Sequence, residues 1–259
     1  MKKKLLVALL ACLFVLPQFA FAWDRKEHDA IACIAEHHLT DKAKANIKKY
    51  LKGHSIIFYA SWMDDFRFTD PWKETDKWHM SYADENMQYV EKEDALGVSA
   101  LERSIEALKD GKYKSLSDEE VAQHIKYITH IVGDMHCPGH VFYPEIEEQW
   151  FIIQLHGGYY TYHSVWDGRV TGFSNTWSYS EYQQQLDIYS EEEIKEIAKG
   201  TPREWFHETA VYCHQIYDMA KPGYRRYGLD FVNNALPIAY HQITYAGYRL
   251  AKVLNDIFG

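Results

Sequence analysis

The chain has 259 residues, a formal net charge of −9 and 15% aromatic residues. Such a length is one domain of ordinary to large size by default. Its acidity excludes long-range electrostatic capture of nucleic acid, because phosphate binding needs local positive charge. A phosphate substrate must instead be drawn by something inside a pocket, such as metal ions.

The chain opens with Met1-Lys2-Lys3-Lys4, an apolar run from Leu5 to Leu16, and Ala20-Phe21-Ala22. A charged start, a short apolar stretch and an A-x-A site predict a secretory signal over 1–22, cut between Ala22 and Trp23. The run is short for a bilayer span and no other stretch could cross one. The expectation is an exported monomer, periplasmic or secreted, with no membrane anchor and a single domain over 23–259. Cleavage removes three lysines and no acids, taking the formal charge from −9 to −12. Leu9-Leu10-Ala11-Cys12 faintly resembles a lipoprotein cleavage site and marks a rival start.

Most of the chain beyond the leader reads as helix. Between Asp24 and His38, the residues His28, Ile31, Ala32 and Ala35 share one face. Thr40 can cap a second helix ending near Gly53. Residues 54–96, rich in Trp, Asp, Pro and Tyr, read as irregular, with a short helix around 56–66. Val98, Leu101, Ile105 and Leu108 recur at helical spacing, and Gly111 closes that helix. Ser117-Asp118-Glu119-Glu120 is a capping box that starts the next one. Residues 141–182 read as aromatic loop, with two short strands around 150–163. Helices resume at 190–199, at 203–219 after Thr201-Pro202, and at 231–257. The predicted fold is all-α, a single-domain helical bundle with a loop-built cleft.

Three cysteines remain beyond the leader: Cys33, Cys137 and Cys213. One disulfide is allowed, but spacing does not choose the pair. Cys137 lies inside a histidine-rich stretch, which invites a zinc reading; we take it as a small buried residue beside a helix end.

That stretch organises the chain: His130-Ile131-Val132-Gly133-Asp134-Met135-His136-Cys137-Pro138-Gly139-His140. His130 and Asp134 are four apart, so they share a helix face. Pro138 ends the helix and His140 follows in the loop. Elsewhere lie Trp23, His28, Asp64, His79 and the i, i+4 pair His163 and Asp167. Zinc takes three or four protein ligands from imidazole and carboxylate. Eight side chains and one N-terminus exceed the need of one ion and suit three, if one carboxylate bridges. Paired metals can activate a shared hydroxide and hold both oxygens of an in-line displacement at phosphorus. No H-E-x-x-H is present, so a metallopeptidase is disfavoured.

The set Trp23 with His28, Trp62-x-Asp64-x-x-Arg67, Trp78-His79, His130-x3-Asp134-x-His136-x-Pro138-x-His140, His163-x2-Trp166-Asp167 and Ala246-Gly247-Tyr248-Arg249 runs nearly the whole mature chain. It resembles the secreted zinc-dependent single-strand nucleases typified by the fungal S1 and P1 enzymes. The resemblance implies three zinc ions. Asp64, His79, His130 and Asp134 would hold the first, and His140, His163 and Asp167 the second. The amino and carbonyl groups of Trp23, with His28 and Asp134, would hold the third. It further implies a zinc-bridging hydroxide as nucleophile, Asp64 orienting it, and Arg67 stabilising phosphoryl charge. Single-stranded RNA and DNA, or nucleotides, would be the substrates, and products would keep a 5′-phosphate. His136 is not a ligand in the family and is expected to support the site from behind.

The departures concern substrate. The family's Gly-Gly-Asn loop is replaced by Glu147-Glu148-Gln149-Trp150. Met80 and Tyr82 stand where the fungal enzymes place a base-stacking aromatic and an acid. Tyr160, with Tyr159 and Tyr162, is a further candidate for stacking on bases. Two rival readings share the ligand set. Zinc phospholipases C resemble this scaffold and also start at tryptophan, but usually end the last ligand pair with Glu rather than Asp. A non-enzymatic zinc module would close its site, and retention of Arg67 argues against it.

Overall fold

Caps and apolar stripes place the helices where the chain's punctuation puts them. The computed structural model describes residues 23–143, 150–174, 176–223 and 225–259. The predicted leader, and Glu147, Glu148 and Gln149 of the departing loop, lie outside them. Asp24 caps α1 (Arg25–His37), whose Ala30, Ile31, Ala32, Ile34 and Ala35 are all buried. The Thr40 side chain accepts from Ala43 N–H to start α2 (Asp41–Tyr50). The next segment holds only α3 (Trp62–Phe66), between 3-10 turns at Ile57–Tyr59 and Lys73–Trp78. Then come β1 (Ser81–Ala83), β2 (Tyr89–Val90) and α4 (Gly97–Leu108). The capping box predicted at Ser117 and Glu120 is formed, and starts α5 (Asp118–Met135).

Past α5, a 3-10 turn at Pro138–His140 runs into β3 (Val141–Phe142). Strands β4 (Ile152–Leu155) and β5 (Gly158–Thr161) are the pair expected near 150–163. The rest of that region is more ordered than predicted. A helical run passes through Tyr162–Ser164, a π turn at Val165–Arg169 and Val170–Ser174. It is followed by α6 (Tyr179–Leu186) and α7 (Glu191–Ile197). Thr201 and Pro202 start α8 (Pro202–Met219), as predicted, and β6 (Arg226–Tyr227) precedes α9 (Leu229–Phe258).

The fold is thus mainly helical. Its centre is α1 against α9, with α5 beside them. Gly247 of α9 allows the closest approach: a Cβ there would lie 2.5 Å from Ile34 Cγ2. Two three-stranded sheets, ordered β2-β1-β3 and β5-β4-β6, go beyond the predicted elements. Their strands are two to four residues long and add no layer to the core. Among the described residues no helix is long and apolar enough to cross a membrane. Cys33, Cys137 and Cys213 are all buried, unbridged thiols.

Candidate metal centre

Four local devices bring the predicted residues together. Helix α5 places His130 and Asp134 one turn apart on a buried face. Its end is tightened by Cys137 N–H donating to Asp134 O (2.9 Å), and His140 N–H then donates to Cys137 O (2.9 Å). The parallel pairing of β1 with β3, Ser81 opposite Val141, sets the chain just after His79 beside the chain just after His140. The β4–β5 hairpin delivers the helical run carrying His163 and Asp167.

Asp134 is at the middle. Its Oδ1 lies 3.2 Å from His28 Nε2 and 3.6 Å from His140 Nδ1. Its Oδ2 lies 2.8 Å from His79 Nδ1 and 3.1 Å from His130 Nε2. Asp64 Oδ1 is 3.7 Å from His79 Nδ1 and 3.8 Å from His130 Nε2. On the other side of His140, its Nε2 is 3.2 Å from Asp167 Oδ1, and His163 Nε2 is 3.2 Å from Asp167 Oδ2. All eight side chains are buried. Arg67, also buried, sits 3.9 Å from Asp64 Oδ1 and 3.6 Å from Asp76 Oδ1.

The outer imidazole nitrogens are fixed by backbone. His130 Nδ1 bonds the Ala60 carbonyl at 2.7 Å and His163 Nδ1 bonds that of Gly139 at 2.9 Å. Each arrangement turns Nε2 toward the carboxylates, as a metal-binding histidine requires. Conversely, His28 Nε2, Asp64 Oδ1, both Asp134 oxygens, His140 Nδ1 and Asp167 Oδ2 have no hydrogen-bond partner among the described residues. So many buried polar atoms without partners are costly. Divalent cations would satisfy them together, so the residues fit such ions. The groupings that could hold one are His28, His130 and Asp134; Asp64, His79 and His130; and Cys137, His140 and Asp167.

The electrostatics say the same. Burial pushes the Asp167 carboxyl up to about 8 and the His163 imidazole down to about 4. Burial also lowers His28, His79 and His140. At His130 burial is outweighed by the Asp134 and Asp64 carboxylates, which raise it to about 9. Burial also opposes ionisation of Asp134, yet the surrounding imidazoles hold its carboxyl well below the ordinary value, so the uncompensated group is Asp167.

Trp23 is fully buried, and its indole Nε1 donates to Gly133 O at 2.9 Å. Asp24 N–H donates to Asp167 O (2.5 Å), and Thr171 Oγ1 donates to the buried Glu27 Oε1 (2.5 Å). The start of α1 is therefore latched to the turn carrying Asp167. His136, between two of the candidate ligands, is held at both nitrogens: Nδ1 bonds Val132 O at 2.7 Å and Arg249 Nη1 donates to Nε2 at 3.0 Å. Arg249 in turn donates to Ile197 O (3.1 Å) and to Glu208.

Of the predicted substrate residues, Met80 and Tyr82 are half-buried beside His79, and the Lys92 ammonium lies 5.1 Å over the Tyr82 ring. Tyr160 packs on Phe173, with the Arg169 guanidinium 5.3 Å over its ring. Trp150 lies beside the centre, a position that sequence reasoning misses. Its ring is 4.1 Å from that of His163, yet it is 43% exposed, so one face is available for stacking. Its exposed position in an aromatic-rich loop gives no periodic signal.

These features define a helical protein with a buried histidine–aspartate centre able to hold metal ions. A sequence profile described as S1/P1 Nuclease matches residues 23–259, and the chain belongs to that family. Membership makes it a nuclease, a hydrolase of phosphoester bonds. It is 22% identical to Nuclease P1 of Penicillium citrinum over 268 residues, covering 92% of this chain and 98% of that one. Nuclease S1 of Aspergillus oryzae is 22% identical over 284 residues, with 97% of each chain covered. Endonuclease 4 of Arabidopsis thaliana is 22% identical over 279 residues, covering 92% and 90%.

Proposed function

We propose that residues 23–259 form an exported, monomeric nuclease that cuts single-stranded RNA and DNA, leaves 5′-phosphates and holds three zinc ions. Asp64, His79, His130 and Asp134 hold the first ion. His140, His163 and Asp167 hold the second. The amino and carbonyl groups of Trp23, with His28 and Asp134, hold the third. The observation that carries this reading is Asp134. Its two oxygens face different histidines, His28 at 3.2 Å and His79 at 2.8 Å, so one carboxylate is set to serve two ions.

Zinc bound there supplies Lewis acidity toward the phosphodiester and the attacking water. Asp64 accepts a hydrogen bond from that water and orients it. The Arg67 guanidinium lies against Asp64 and stabilises negative charge developing on the phosphoryl oxygens. The Ala60 and Gly139 carbonyls hold the His130 and His163 tautomers. The exposed face of Trp150, with Met80 and Tyr82, offers packing to an unpaired base. Bases of a single strand can turn out to meet such surfaces; those of a duplex are stacked away. Removal of residues 1–22 exposes the Trp23 amino group, so export completes the third site.

The test is hydrolysis of single-stranded RNA and DNA by protein beginning at Trp23, with end-group analysis and short-chain phosphatidylcholine in parallel. Fragments with 5′-phosphates, abolished by zinc chelation, are the expected result. Intact nucleic acid with released phosphocholine would mean a phospholipase C on the same scaffold. Full zinc loading with no hydrolysis of either would mean a binding module.

A further inference from the structure

The ligands assigned above to the second ion are His140, His163 and Asp167, which leave a fourth position. The Cys137 thiol lies beside it. Its Sγ is 3.9 Å from Asp167 Oδ1, the same oxygen that His140 Nε2 approaches to 3.2 Å. Two ligands on one tetrahedral zinc, an oxygen at ~2.0 Å and a sulfur at ~2.3 Å, stand roughly 3.5 Å apart. The oxygen–sulfur separation observed is close to that value. A buried atom of the same cluster, Asp167 Oδ2, has no hydrogen-bond partner among the described residues. The thiol also faces the Trp166 carbonyl, 4.0 Å away, and the backbone of Gly139 and His140 at the turn that follows it.

The backbone explains why the sulfur points this way. Cys137 is the residue at which α5 has ended and the Pro138–His140 turn begins. Its N–H is tied to Asp134 O and its carbonyl receives His140 N–H, both at 2.9 Å. With both backbone groups held, its side chain is directed at the Trp166–Asp167 turn. Cys33 has no such surroundings: its Sγ is 4.0 Å from His37 Nδ1 near the end of α1. Cys213 Sγ faces the Val141 carbonyl at 3.6 Å.

We propose that Cys137 is a fourth protein ligand of the second ion, making that site Cys-His-His-Asp. This rests on the zinc reading above. Coordination releases the thiol proton to solvent and forms one sulfur–metal bond, with no change of oxidation state. A sulfur ligand makes this the softest site of the centre and biases it toward thiophilic ions.

The experiment strips metal from the protein beginning at Trp23 and reloads it with cobalt(II). Three chains are compared: wild type, Cys137→Ala, and Cys33→Ala/Cys213→Ala, in which Cys137 is the sole thiol. The expected result is a near-ultraviolet thiolate-to-cobalt charge-transfer band in wild type and in the double variant, lost in Cys137→Ala with cobalt still bound. In parallel, wild type prefers cadmium over zinc more strongly than Cys137→Ala does. Bound cobalt without that band in wild type overturns the sulfur ligand while leaving the zinc reading intact. No retention of cobalt or zinc by wild type overturns the zinc reading, and this inference with it. Should Cys137→Ala not fold, the double variant alone assigns the band.

Discussion

The indole of Trp23 donates a hydrogen bond to the carbonyl of Gly133, 2.9 Å away and one residue before Asp134. The first residue of the family match is thereby pinned to the helix that carries the central carboxylate. Adding a single alanine before Trp23 leaves that bond possible but turns the α-amino group into an amide. The expected outcome is a fall from three zinc ions per chain to two, with unchanged helical circular dichroism. Elemental analysis after dialysis decides it; three ions retained would show that the N-terminus is no ligand.

Gly133 matters for a second reason. A Cβ at this position would meet His28 Nδ1 at 2.8 Å and Cε1 at 2.9 Å. Gly133→Ala must displace the imidazole from Asp134. Overpacking of this kind costs about 1–3 kcal/mol. We expect a lowered Tm and loss of one ion, with hydrolysis reduced more than the stability change accounts for. Unchanged metal content would mean that His28 is dispensable to it.

Arg67 tests the chemistry apart from the metal. Removing one preorganised charge at a developing oxyanion costs about 10²–10³ in kcat. Arg67→Ala should show that loss with all ions retained, and Arg67→Lys should recover part of it. A drop in zinc content alongside kcat would instead make Arg67 a support for Asp64.

A carboxylate remote from the cleft gives a pH dependence of stability. Asp187 accepts from His38 (2.8 Å), Tyr248 (2.8 Å) and Gln183 (2.9 Å), joining α1, α6 and α9. Burial opposes its ionisation, but these hydrogen bonds prevail and hold its carboxyl below the ordinary value. The unfolded chain therefore binds the proton more readily. The stabilisation is present above the ordinary carboxylate range, about pH 4, and is lost as pH falls through the folded value. Asp187→Asn should cost about 1.5–3 kcal/mol at neutral pH. Denaturant titrations from pH 7 downward should show the gap to wild type closing in acid; a gap independent of pH would remove the charge from the explanation.

The helices are legible in sequence because their signals are local. Thr40, Ser117 and Thr201 mark starts by chemistry that acts over three residues. The candidate ligand residues are legible because imidazoles and carboxylates at fixed spacings, met in the family's order, have few other uses. What stays hidden is tertiary. Strands of two or three residues such as β1 and β3 carry no periodic pattern, and their register exists only once His79 and His140 are side by side. The carbonyls of Ala60 and Gly139 belong to the backbone and leave no residue-type trace. Trp150 and the aim of the Cys137 sulfur depend on turns, not on composition. The helical run from Tyr162 is masked by its aromatic and β-branched residues, which suit strands equally well.

Helix α1, bearing His28, is packed against α9 from the far end of the chain, and Thr40 N–H and Lys42 reach on to Asn255 and Gly259. Contacts so distant in sequence form late, because closing the longest loop comes before any reward from packing. A nascent or partly threaded chain thus holds its imidazoles and carboxylates without the wall that orders them. A chain stopped short of α9 carries the candidate ligand residues without the helix against which α1 packs.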